Sequence, residues 1–350
     1  MMKVLYLTPW YPSEQDAMAG LFVQKHVEAV RAQGVDVRVI YSQGWTDTWR
    51  QWRTLKREWG LPDVVQLNVV QKQGVLAYRL WRKYGIPYII VEHWSGYLPE
   101  NGMYMQMPAA KRRLYAKIVR QASMLLCVSN RLAEAMKACG LENKCCRKIN
   151  NVVDEFFYKS GTSRHHDITA SQKKTLLHVS CFDERAKNVK GLLRAAKILS
   201  EQRQDWQLVL VGTGIDYQDI RAYADGLNIP DGLLRWTGEL TPQQVSDEFD
   251  KADAFVLPSN YENAPVVLSE SLAKGVPIIA TRVGGIPEMV NETNGMLVSP
   301  GNDEELAQAM NAMLDHYNGY DRNTIRRAGL KYSFASVGAE LKQIYESVRL

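Results

Sequence analysis

From Pro258 to Glu288 the chain reads PSNYENAPVVLSESLAKGVPIIATRVGGIPE. A strand is expected to end at Pro258-Ser259, and a short loop then carries Glu262. A helix is expected to begin near Pro265 and to carry Glu270. A second strand, Ile278–Thr281, leads into the glycine turn Gly284-Gly285. The strands on either side of this helix are continuous apolar runs rather than alternating ones. A sheet covered on both faces requires such runs, and they point to parallel βαβ units.

The same rhythm extends in both directions. Before residue 160, strands are expected near Val4–Leu7, Val35–Tyr41, Val64–Val70, Tyr88–Glu92, Met124–Val128 and Ile149–Val153. Helical stretches at Leu21–Gln33, Val75–Tyr84, Lys111–Gln121 and Arg131–Ala138 separate them. The polar segment Ser160–Lys174 lacks apolar periodicity and reads as a linker. After it, strands recur near Leu176–Ser180, Leu208–Val211, Leu233–Trp236, Ala254–Leu257, Ile278–Thr281 and Gly295–Val298. Thr241-Pro242 and Asn263-Ala264-Pro265 both read as a cap followed by a first-turn proline. The expected fold is therefore α/β, with two doubly wound, Rossmann-like domains facing a cleft. The divisions are 1–165, 166–333 and an amphipathic C-terminal helix over 334–350 that could cross back to the first domain. Sheets of this kind bind ligands at the carboxyl ends of their strands.

Composition narrows the class. The 350 residues are 46% hydrophobic with 37 Gly plus Pro, which excludes a disordered chain and a single small module. No apolar run approaches the roughly 18 residues of a membrane span. Met1 to Leu7 is a strand-like run without the features of an export leader. Cys127, Cys139, Cys145, Cys146 and Cys181 lack CxxC spacing and read as reduced thiols of a cytoplasmic protein. Residues 1–165 hold 24 Lys and Arg against 13 Asp and Glu, and residues 166–350 hold 19 against 25. The halves thus carry +11 and −6 within a net +5, which implies different partners for each.

The chemistry concentrates in the opening window. Amides around Asn263, Ala264, Val266 and Val267, beside Pro265, form a helix mouth suited to an anion. A carboxylate next to phosphate is tolerable only where it faces hydroxyls. Glu262 and Glu270 flanking such a mouth therefore suit a ligand with phosphate in its middle and hydroxyls at both ends, which is the shape of a nucleotide-sugar. Eight residues of separation place them roughly 10–12 Å apart at about 1.5 Å per helical residue. That exceeds the roughly 5 Å of a retaining glycoside hydrolase pair. The same spacing also suits a surface glutamate and a helix glutamate that merely lie near each other.

The string S-x-x-E-N-A-P-x4-E-x-x-A-x-G-x-P-I-I-A-T-x-V-G-G-I-P-E, from Ser259 to Glu288, resembles the signature of the family 4 (group 1) glycosyltransferases. The likeness is densest from Leu176 to Pro300 and looser at Thr8–Arg31, Tyr88–Gly96 and Cys127–Asp154. It implies the two-Rossmann GT-B fold and a retaining, metal-independent transfer from a nucleotide-diphosphate sugar. That sugar is a co-substrate, with no cofactor. On this resemblance Glu270 would hold the donor ribose, and Glu262 would lie near the transferred sugar. Asn263 to Val267 would hold phosphate and sugar hydroxyls, His93 would touch the donor sugar, and Gly20 would let the backbone approach phosphate or acceptor. Gly212 and Gly214 would approach the nucleotide, with Gly238 and Glu239 against its base. Asn151 and Asp154 resemble a structural N-x-x-D.

The family's Gly-Arg dipeptide is Ser180-Cys181 here, so its arginine is missing. Lys187 falls at the spacing of the diphosphate-binding lysine, Lys190-Gly191 copies the usual Lys-Gly, and Arg185 could supply a second cation. The acceptor would be a glycan or lipid-linked glycan in cell-surface polysaccharide or lipopolysaccharide synthesis. Two other readings stand beside it: a nucleotide-sugar epimerase of the same fold, and an inactive scaffold that binds sugar nucleotides. No metal motif, Walker loop or G-x-S-x-G is present in the sequence.

Seven of nine tryptophans precede residue 95. On a helix over Trp45–Trp59, Trp45, Trp49, Trp52 and Trp59 fall within about an 80° stripe flanked by Arg50, Arg53 and Arg57. That pattern suits a helix lying on an anionic membrane at the cytoplasmic face, with Lys111, Arg112, Arg113, Lys117 and Arg120 adding to it. It equally suits tryptophans packed on the domain or lining an acceptor groove. Nothing points to nucleic acid.

Overall fold

The computed structural model of the chain describes residues 1–14, 16, 18–159 and 173–349. Packing divides them into two units, Met1–Val152 with Lys331–Leu350, and Val153–Leu330. Most of the segment read as a linker, residues 160–172, lies outside the described residues, and Lys174 opens a strand rather than closing a loop. The chain changes unit at 152/153 and 330/331, where sequence reading places 165/166 and 333/334. Phe157 explains the first of these offsets. It is buried with its ring 6.1 Å from that of Phe249, and the neighbouring Tyr158 hydroxyl donates to Gly329 O at 3.0 Å.

The first unit alternates strand and helix: β1 (Lys3–Thr8), α1 (Leu21–Ala32), β2 (Asp36–Tyr41), α2 (Trp45–Trp59), β3 (Val64–Asn68), α3 (Gly74–Tyr84), β4 (Tyr88–Glu92), α4 (Ala109–Gln121), β5 (Met124–Cys127), α5 (Asn130–Ala138) and β6 (Cys146–Lys148). Its six strands are parallel, in the order β2-β1-β3-β4-β5-β6. The last strand is not the apolar Ile149–Val153 but the polar triplet before it. An edge strand has a partner on one side only, so charge on it costs little and discourages further pairing. Ile149, Val152 and Val153 are buried just beyond it.

The second unit continues with β7 (Lys174–Val179), α6 (Glu184–Lys187), α7 (Val189–Gln202), β8 (Trp206–Val211), α8 (Tyr217–Gly226), β9 (Leu234–Gly238), α9 (Pro242–Lys251), β10 (Ala254–Leu257), α10 (Val266–Lys274), β11 (Ile278–Thr281), β12 (Gly295–Val298), α11 (Asp303–His316) and α12 (Arg322–Gly329). Its strands order β12-β11-β10-β7-β8-β9, again all parallel. The chain builds outward from β7 to β9, then returns to lay β10 on the other side of β7. That reversal opens a crevice at the carboxyl ends of β7 and β10.

Local signals explain several ends. Thr241 caps α9 with a full capping box and Pro242 in the first turn, as the sequence reads. At α10 the proline is itself the cap residue, so Asn263 does not cap the helix. The final helix α13 (Phe334–Val348) lies along α1 in the first unit. Val337, Leu341, Ile344 and Tyr345 are buried in that unit's core. Gly338 makes the approach possible, since a Cβ there would stand 2.4 Å from Ala29 O.

Helix α2 has the expected bounds, but its tryptophans do not form one outward stripe. Trp52 is buried. Trp59 is pinned, its indole N–H donating to Asp36 Oδ2 at 2.6 Å. Trp45 and Trp49 are half-buried, each with the Arg79 guanidinium over its ring. A helix packed on a sheet buries one face, and Trp52 lies at the centre of that face.

Candidate active site

Two segments far apart in sequence meet over the switch point of the second unit. Beyond β7, Asp183 caps the one-turn α6 by accepting from Ala186 N, and Asn188 at φ 50° turns the chain straight into α7. Beyond β10 runs the loop Pro258–Pro265. The loop is stitched to α6 by its own polar groups. Asn260 N–H donates to Ala186 O at 2.8 Å, its amide group donates to Arg185 O at 3.1 Å, and Asn188 Nδ2 donates to Pro258 O at 3.3 Å.

The stitching brings Lys187 against Glu262. Lys187 Nζ donates to Glu262 Oε1 at 2.5 Å, with the two side chains only 17% and 11% exposed. Ser259 Oγ donates to the same oxygen at 2.9 Å. The loop's shape is fixed from below, where Thr281 Oγ1 donates to Ser259 O at 2.5 Å. Gly284, at φ 51°, stands so close that a Cβ would lie 1.6 Å from Glu262 O. Burial draws the Lys187 ammonium down. The Glu262 carboxylate, with smaller help from Cys181 and Asp183, outweighs burial and holds it above the ordinary lysine value. Lys187 is thus a charged ammonium held in one orientation by the Glu262 carboxylate.

His178 lies beneath this pair in β7. Its Nδ1 is 2.9 Å from Val256 O and its Nε2 is 2.8 Å from Ser180 Oγ. Burial, reinforced by the Lys187 charge, lowers its pKa to about 4 against the pull of the backbone bond. The imidazole is therefore neutral and positions Ser180.

The other candidates fall around the same strand ends. The Gly212–Gly214 loop ends β8 and accepts from Phe182 N–H through Thr213 O at 2.9 Å, while Gly212 N–H donates to Gly238 O at 2.8 Å. Glu239 follows β9 and is exposed. Asn263 is buried, Ala264 partly so, and the amides of Val266 and Val267 open α10, while Pro265 contributes no N–H. Glu270 is half-buried on α10. Arg185 is exposed on α6 and Cys181 is exposed in the loop before it. Lys190 is separated from this group. Its ammonium is paired with Asp219 of α8 at 2.5 Å and lies over the Tyr223 ring. Of the two lysines the sequence offers, only Lys187 is joined to Glu262. Among the described residues no group of three or more His, Cys, Asp or Glu is placed to hold a metal ion.

In the first unit His93 follows β4. Its ring is 4.3 Å from that of Phe22 and 5.6 Å from that of His26, and it hydrogen-bonds Asn151. Burial, then the neighbouring His26, holds its pKa well below the usual histidine value, against the Asn151 bond. Buried Glu92 shapes the turn by accepting from the N–H of His93 and of Trp94, each at 2.9 Å. Gly20, at φ 68°, caps α1, and a Cβ there would stand 2.3 Å from the Trp10 carbonyl carbon. No local motif marks His26 or Asn260, and Ser259 is marked only by its place in the string from Ser259 to Glu288. A histidine inside the apolar run Leu176–Ser180 is the one local signal that could have found His178.

Residues 162–331 match the family of group 1 glycosyl transferases, and residues 2–155 match glycosyltransferase family 4. An alpha-D-kanosaminyltransferase of Streptomyces kanamyceticus is 23% identical over 314 residues, covering 86% of this chain and 81% of that protein. The lipopolysaccharide 1,6-galactosyltransferase of Escherichia coli K12 is 34% identical over 121 residues, 34% of this chain and 33% of the relative. Among solved structures, Anabaena HepE in complex with UDP-glucose superposes with a TM-score of 0.77 at 17% identity, over 99% of this chain and 100% of that one. A two-unit α/β GT-B fold with these matches over both halves makes the chain a member of the family 4, group 1 glycosyltransferases.

Proposed function

We propose that the chain is a retaining, metal-independent transferase that moves a sugar from a nucleotide-diphosphate donor to a glycan or lipid-linked glycan. Its place is cell-surface polysaccharide or lipopolysaccharide synthesis at the cytoplasmic face of a membrane. One observation carries the reading: a charged lysine and a carboxylate locked together over the switch point, beside the mouth of α10. The names of the E. coli relative and of the UDP-glucose complex support the acceptor and donor classes.

On this reading Lys187 and the opening amides of α10 hold the diphosphate. They stabilise the negative charge that develops on it as the sugar–phosphate bond breaks. Glu270 accepts from the ribose hydroxyls and Glu262 from a hydroxyl of the sugar, so neither carboxylate faces phosphate. A phosphate oxygen of the leaving group takes the acceptor's proton on the face that it leaves, which retains configuration.

Calorimetry with UDP and GDP tests the assignment. Lys187→Ala and Glu270→Ala should each weaken binding of the cognate nucleotide about tenfold or more, which is about 1.4 kcal/mol. Lys190→Ala, which breaks a surface pair, should change it by less than about threefold. Wild-type affinity in both of the first two variants would remove the assignment.

A lipid-linked acceptor requires contact with a bilayer, and the α2 stripe does not offer it, because Trp52 is buried and Trp59 is tied to Asp36. The edge of α4 does. Met103, Met105 and Leu114 are exposed there beside Lys111, Arg112 and Arg113. Among the described residues no helix is long and apolar enough to cross a membrane. Sedimentation with anionic vesicles should fall sharply for Met105→Asp with Arg113→Glu, and equal binding to neutral vesicles would count against this contact.

A further inference from the structure

Helices α3 and α4 carry eight Lys and Arg and no Asp or Glu, and α2 adds four cations against Asp47 and Glu58. Where α2 faces α3 there is a cavity of about 710 Å³. It is lined by Trp45, Thr46, Trp49, Arg50, Arg53 and Thr54 of α2 and by Arg79 of α3. The two indoles meet edge to face with centroids 5.6 Å apart. The Arg79 guanidinium lies over both, 5.4 Å from one ring centre and 5.1 Å from the other.

A guanidinium that rests its flat face on an aromatic ring keeps its in-plane N–H donors for another partner. Arg50 has one in Asp47, at 2.5 Å. Among the described residues neither Arg53 nor Arg79 has a carboxylate within ion-pair distance. The buried Trp49 indole N–H also has no acceptor among them. Trp52, one turn along, is the tryptophan that serves the core, so Trp45 and Trp49 are not needed there.

We infer that this cavity binds an acidic saccharide. The carboxylate or phosphate of the sugar pairs with Arg53 and Arg79. The apolar C–H face of the pyranose lies against the indoles, and Thr46 and Thr54 meet its hydroxyls. A free phosphate has no face to set on an indole, and a neutral sugar leaves both guanidinium groups uncompensated. Combined with the transferase reading, on which this step rests, the site makes the acceptor an acidic glycan.

The test is calorimetry and tryptophan fluorescence on the full chain, with trigalacturonate and the neutral galactotriose as probes. Trigalacturonate should bind at least tenfold more tightly than galactotriose and lose affinity as salt rises. Arg53→Gln and Arg79→Gln should each weaken it tenfold or more. Arg53 is exposed and holds nothing in place, so its variant reports binding rather than folding. Equal affinity for the two trimers, no binding of either, or undiminished binding in both variants overturns the site. Anionic vesicles that bind through Arg53 and Arg79 while trigalacturonate does not would make a membrane the occupant and also overturn it. Binding of trigalacturonate without any sugar transfer would keep the site and remove the transferase reading. Transfer to an acceptor with a KM indifferent to Arg53→Gln would do the reverse.

Discussion

At the scale of single residues the second unit depends on how three titratable groups share a small volume. Lys187 and Glu262 hold each other 2.5 Å apart, and His178 lies close enough to Lys187 to be disfavoured as a cation. The unfolded chain takes up a proton on this histidine near pH 6.5, the folded site only near pH 4. The folded form is therefore fully favoured above pH 6.5 and loses ground as pH falls through that window, by at most about 1.4 kcal/mol per pH unit. Glu92 in the first unit works the other way. Burial raises its carboxyl to about 7 against several hydrogen bonds, so its contribution is present at low pH and lost as pH rises from the usual carboxylate value to about 7. Urea titrations at pH 7.5, 6 and 4.5, followed by hydrogen exchange in each unit, should show second-unit stability dropping towards acid. His178→Gln should flatten that dependence, and an unchanged slope would refute the assignment.

At the scale of elements, Lys187 ends α6 and Glu270 lies on α10, while the loop between β10 and α10 carries Glu262. The loop from Pro258 to Pro265 owes its path to contacts with α6 on one side and with Gly284 on the other. Gly284→Ala sets a methyl group 1.6 Å from a carbonyl oxygen and strains a left-handed backbone. The loop must move, at a cost of about 2 kcal/mol or more. Thermal unfolding of the second unit should fall accordingly, and nucleotide affinity with it. A variant with wild-type stability and affinity would show that the turn does not set the site. The identities of Glu262, Glu270 and Lys187 are legible in the window and its resemblance. The hydrogen bonds of Asn260 to Arg185 and of His178 to Val256 are not, because those partners lie 75 and 78 residues away.

At the scale of the whole molecule the last helix belongs to the first unit although the chain reaches it only after completing the second. Tyr345 donates to Gln66 Oε1 at 2.5 Å and stands 2.7 Å from the Tyr6 hydroxyl, beneath a layer of buried aliphatic groups. Removing residues 334–350 should abolish hydrogen-exchange protection in the first unit while leaving the second unit's slow amides in place. Leu341→Ala, a milder loss of buried volume, should cost the first unit about 2–5 kcal/mol. Equal loss in both units would show that the helix stabilises something other than the α1 layer.

The sequence by itself determined the alternation of strand and helix, the parallel sheets and most element ends, since these follow from local apolar runs and caps. It also marked Glu262 and Glu270 as candidates, because the family window is contiguous, and left Lys187 and Lys190 as alternatives. Tertiary structure alone decided that Lys187 rather than Lys190 joins Glu262, that Trp52 goes into the core while Trp45 and Trp49 stay half-buried, and that the edge strand is Cys146–Lys148. Each of those outcomes depends on which surface a neighbouring element happens to cover. Burial of that kind is a property of packed pairs, and no local stretch of chain contains it.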